Sequence, residues 1–141
     1  MTEDPEENAR LQNALTDLAN RLGVAAPQVG ARSNGHDDVL SIFVDTDGRH
    51  HFGYWERGKL VFDHTGTLDD ALYWYCEGVV SQRAPGDRRE RFRFGYDVLS
   101  SYNPDWGRRY VRELASSFRR NHPDQSRPRD LSLLPDIGED L

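Results

Sequence analysis

The chemistry open to this chain rests on its histidines, its single cysteine and a few closely spaced carboxylates. His50, His51 and His64, with Asp63, are residue types that hold a transition metal or move a proton. Successive strand residues point to opposite faces, so His50 and His51 cannot easily grip one ion together. His51 with Asp63, or His50 with His64, can share a face, and either pair is half a site. A hydrolase built on Asp63 would need His51, Asp63 and His64 together in a closed pocket; otherwise cross-strand or solvent-facing pairing is expected. Asp45, Asp47 and Gly48 resemble part of a calcium loop, but Arg49 stands where a third acid belongs and the glycine is out of place. A hairpin turn is expected there. Cys76 lies on an apolar helix with no basic group beside it, so it reads as a buried structural cysteine. Asp69, Asp70 and Glu77 could serve as an acid–base pair, and Asp70 and Glu77 share one helix face, as countless solvated carboxylates do. No Gly-x-Ser-x-Gly elbow and no phosphate-cradling glycine loop occurs. The expectation is a chain that is not an enzyme and has no resident metal or cofactor.

Arginine with interleaved aromatics raises nucleic-acid binding. Arg88, Arg89, Arg91 and Arg93 flank Phe92 and Phe94, and Arg108, Arg109 and Arg112 form a second group. The whole chain nevertheless carries −6. Residues 1–82 are net −8, residues 83–120 net +5 and residues 121–141 net −3. An acidic total argues against a duplex binder, and pairing of the acidic front with the basic block is expected instead. No apolar run is long enough to span a bilayer, and the start MTEDPEENAR lacks the features of a secretory signal. One cysteine permits no internal disulfide, which fits a reducing cytoplasm.

An α+β arrangement must position these groups. Leu11, Leu15, Leu18 and Leu22 make one helical stripe, with Pro5 in its first turn and Gly23 as its stop. Ala25 to Asp38, holding Pro27, Gly30 and Gly35, reads as a connection with a short strand around Val29. Three strands follow, Val39 to Val44, Arg49 to Arg57 and Lys59 to His64. The turns between them are short, which forces an antiparallel meander of three to four strands. Period two puts Leu40, Ile42, Val44, Phe52, Tyr54, Leu60 and Phe62 on helix-packed faces. It leaves Ser41, Phe43, His51, Trp55, Lys59, Val61 and Asp63 on a mixed face. Thr67 and Asp70 form a capping box for a helix to about Gln82. A second helix runs from Asp87 to Ser101, and Asn103-Pro104 opens a third to about Arg120. Residues 1–121 read as one domain, and 122–141 as an extended tail that Leu131, Leu133, Leu134 and Ile137 could dock.

One ordered set of motifs goes beyond composition. HHFGYWERGKL holds Glu56-Arg57-Gly58, and TLDDALYWYCEGVVSQRA holds Asp69, Asp70 and Leu72-Tyr73-Trp74. Arg88-Arg89 follows, then NPDWGRRYVRELASSFRRNHPD with Asn103-Pro104-Asp105-Trp106 and His122-Pro123. Across about residues 49–124 this resembles the immunity protein 63 family of bacterial polymorphic toxin systems. The last helix departs from that pattern in lacking lysine, and so does the leucine-bearing tail. The resemblance implies a cytoplasmic, non-enzymatic antidote that binds and neutralises a cognate toxin domain. A basic nuclease is one target that an acidic inhibitor suits. The alternative is a small scaffold or binding module for an unrelated protein. No residue set transfers from the family, so physical chemistry supplies the candidates. Aromatic anchors and carboxylates suited to a basic partner are Trp55, Glu56, Asp63, Asp69, Asp70, Trp74 and Glu77.

Overall fold

A computed structural model describes residues 3–30, 39–121 and 128–141. Gly35 and the His122-Pro123 pair lie outside the described residues. The fold is α+β: helix α1 (Pro5–Leu22), strands β1 (Val39–Val44), β2 (His50–Glu56) and β3 (Lys59–Gly66), then helices α2 (Leu68–Arg83), α3 (Arg88–Tyr102) and α4 (Pro104–Asn121). The chain divides into two compact units, Met1–Tyr75 and Cys76–Leu141, with the division inside α2.

In the first unit, Asp4 caps α1 by accepting from the Glu6 and Glu7 amides. Gly23 closes the helix in the left-handed region, at φ 73°, where a side chain would be strained. Between these caps the leucine stripe is buried as its spacing predicts. The sheet is an antiparallel meander in the order β1-β2-β3. Beyond β1, the expected strand near Val29 shows one bridge among the described residues, in which the Gly30 amide donates to the Ile42 carbonyl at 2.7 Å.

Register explains where simple alternation fails. Tyr54 faces Phe62, but Trp55 faces Leu60, so Val61 is a bulge with no partner across the ladder. Leu60 is therefore turned out of the buried set in which period two placed it, and it is half exposed. The mixed face also needs revision: Ser41, Phe43 and His51 on it are all buried.

In the second unit, α3 packs on α4. Gly95 meets the Tyr110 ring and Gly107 meets Ser100, so the helices approach where side chains are smallest. Leu99, Trp106, Tyr110, Val111 and Ala115 are buried along these helices. Asp87 caps α3 through the Glu90 amide, and Asn103 caps α4 through the Asp105 amide. The tail is less extended than its prolines imply. Pro128–Leu133 winds into a 3₁₀ turn, Pro135 is buried, and Glu139 accepts from Arg112 Nε and Nη2 at 2.6 and 2.9 Å.

Candidate functional site

The β2–β3 hairpin turns on Arg57 and Gly58. Their φ angles, 52° and 79°, are both positive, as a two-residue primed turn requires. Glu56 and Lys59 close the turn as partners. Both side chains are exposed, and Trp55 is half-buried. The strand that leaves this turn is the sheet's outer edge. Among the described residues β3 pairs only with β2, so its far side presents backbone N–H and C=O groups. Leu60 and Val61 are 50% and 54% exposed, the largest exposures among the big apolar side chains described. Adjacent exposed aliphatics on a free edge form an adhesive surface, and their cost in water is offset only when something covers them.

Asp63 lies farther along the same strand. His51, on β2, stands between two carboxylates and stacks on Phe43 with ring centroids 4.4 Å apart. Its Nε2 is 2.8 Å from Asp45 Oδ2, and its Nδ1 is 3.3 Å from Asp63 Oδ2. Asp45 also accepts from the Asp47 and Arg49 amides through Oδ1, at 2.9 and 3.0 Å. The Asp45–Arg49 segment is thus a side-chain-knit hairpin turn, as expected. The hydrogen bond from His51, followed by that from the Arg49 amide, holds the Asp45 carboxyl below its usual range. The cluster is a clamp tying β2 to β3 and to the first turn.

His64 does not join it. Its partner across the ladder is Phe52, on the opposite face, where its ring lies 4.9 Å from Phe62 and 5.1 Å from Trp74. His51, Asp63 and His64 therefore do not converge. Trp74 reaches the sheet from α2 and also lies 6.2 Å from Phe52, which makes it part of an aromatic row. His50 is buried, and its Nδ1 has no hydrogen-bond partner among the described residues. Burial lowers its pKa.

The remaining carboxylates separate by role. Asp70 accepts from the Thr67 amide at 2.9 Å while its own amide donates to Thr67 Oγ1, the reciprocal cap expected from the sequence. Asp69 is exposed in the first turn of α2. Glu77 belongs to the second unit. It accepts from Ser81 Oγ at 2.9 Å, and burial, with Glu113 adding to it, raises its carboxyl pKa. Tyr110 in that unit is pushed up to about 12, chiefly by burial and further by Glu77. The seven candidates fall on three stretches of the chain. Trp55, Glu56 and Asp63 belong to the β2–β3 hairpin, Trp74, Asp69 and Asp70 to the start of α2, and Glu77 to the other unit.

Sequence reasoning missed Leu60, Val61 and Asp45. Leu60-Val61-Phe62 is a run of three apolar residues, which strict alternation cannot accommodate, and that was the available signal. Asp45 read only as a turn residue because its second oxygen is engaged across the sheet. Arg93 pairs with Asp97, Arg108 with Asp105, Arg109 with Glu113 and Arg112 with Glu139, all within the second unit. Arg88 lies over the Phe92 and Phe118 rings, 5.7 and 5.4 Å from their centroids.

Among the described residues no group of three or more His, Cys, Asp or Glu could hold a metal ion, and no helix is long and apolar enough to cross a membrane. In comparisons with known proteins, no family model, no curated protein and no solved structure matches the chain.

Proposed function

We propose that this chain is a cytoplasmic immunity protein that binds and neutralises a cognate toxin domain, and that it acts by binding, not by catalysis. The ordered motifs between Arg49 and Asp124 motivate the toxin partner. The structural observation that carries a binding role is the exposed Leu60–Val61 pair on the sheet's outer strand. Half-buried Trp55 and exposed Glu56 flank it. An apolar centre with a charged rim is the usual anatomy of a protein interface. The experiment is co-expression with the product of the gene adjacent to this one. Growth rescue and a stable complex on gel filtration are the expected result, and the absence of both would overturn the reading. A pulldown that returned only a non-toxin protein would point to a scaffold module instead.

A further inference from the structure

We infer that the partner docks by adding an extended, basic segment to the outer edge of β3. This rests on the reading above that the chain is a protein-binding inhibitor, and it specifies the mode and the chemistry of the contact. β3 runs for eight residues and, among the described residues, has one paired edge. An unpaired strand edge is satisfied by extended backbone, because only a strand presents N–H and C=O groups at the matching repeat. The bulge at Val61 marks the hairpin end, and from Phe62 to Gly66 the ladder register is regular. At the bulge, Leu60 and Val61 supply the apolar anchor that main-chain hydrogen bonds alone lack.

Charge selects the occupant. Residues 1–75 hold 13 acids and 6 bases, a net of −7. A second copy would bring two such charges together and is opposed at long range. A segment carrying lysine or arginine is drawn in. Exposed Glu56 flanks the anchor and gives such side chains a specific partner.

The probe is a library of short random peptides displayed on phage, selected against the intact chain, with the enriched peptides then synthesised. The expected winners alternate apolar residues with lysine or arginine and lack proline. They slow amide exchange within residues 59–66, and they bind the Leu60→Lys/Val61→Lys variant about tenfold or more weakly. Leu68→Lys, at another exposed apolar site, should leave binding unchanged. Circular dichroism checks that the double variant is folded, and Val61→Lys alone replaces it if it is not. The inference is overturned by acidic winners, by no enrichment, by protection elsewhere, or by full binding to a folded variant. A dimer of the chain alone that Val61→Lys abolishes would assign the edge to a second copy and overturn it equally. The growth assay separates the two proposals. Wild-type rescue by the double variant removes only this docking mode, whereas failure of the wild-type chain removes the immunity reading itself.

Discussion

Gly95 on α3 and Tyr110 on α4 are in direct contact: a β-carbon at Gly95 would stand 2.6 Å from the Tyr110 ring. The crossing of these helices depends on that missing atom. Gly95→Ala should destabilise the protein by about 1–3 kcal/mol, as overpacking does. Gly78, inside α2, has nothing within 4 Å of its would-be β-carbon. Gly78→Ala should therefore stabilise by roughly 0.5–1 kcal/mol through helix propensity. Urea unfolding of the two variants measures both, and equal effects of the same sign would contradict the packing.

Arg57 offers a separate gain. It holds φ at 52°, a region that disfavours an ordinary side chain and that asparagine tolerates. Arg57→Asn should raise stability by roughly 0.5 kcal/mol with the hairpin register intact. A lowered melting temperature would show that the arginine side chain contributes contacts outweighing its backbone strain.

Asp45 sets an acid limit. Folding lowers its pKa, first through the hydrogen bond from His51. Its contribution is complete above the unfolded value near 3.9 and is lost as pH falls through the lower folded value. Wild type should melt above Asp45→Asn at about pH 5, and the gap should narrow as pH falls toward about 2. Thermal melts across that window test this, and a constant gap would remove the ionised clamp from the account.

Glu77 acts in the opposite sense. Burial raises its pKa, so its favourable contribution is complete below the unfolded value near 4.3 and is lost as pH rises through the folded value. At about pH 7 the buried charge is a net cost. Glu77→Gln retains an acceptor for the Ser81 hydroxyl and should melt higher than wild type there, with the advantage fading below about pH 4. A variant that melts lower at neutral pH would assign the carboxylate a partner that outweighs its desolvation.

Much of the fold was legible because its signals are local. Gly23 ends α1, Thr67 and Asp70 cap α2, and Asn103 opens α4, each through hydrogen bonds that span only a few residues. The short turns made the meander unavoidable. The candidate site was only partly legible. Trp55 and Glu56 belong to the hairpin as their strand position implied, but Asp63 is tied up by His51 and Asp70 by its own cap. The bulge that exposes Leu60 depends on the register between two strands, and the apolar run Leu60-Val61-Phe62 signals a break in alternation without saying which residue leaves the ladder. The tail's leucines hinted at docking, but its ion pair to α4 joins Glu139 to Arg112 across 27 residues, beyond the reach of local signals.

The bulge also bears on how this protein can change over generations. Val61 has no ladder partner, and neither it nor Leu60 helps to fill the core. Substitutions at such positions usually alter stability by less than about 0.5 kcal/mol. The stretch proposed above to touch a partner is thus also the stretch where drift costs folding least. Under the proposed immunity role, a lineage pressed to follow a changing toxin could rewrite these two residues one at a time, with the helices and the rest of the sheet left as they are.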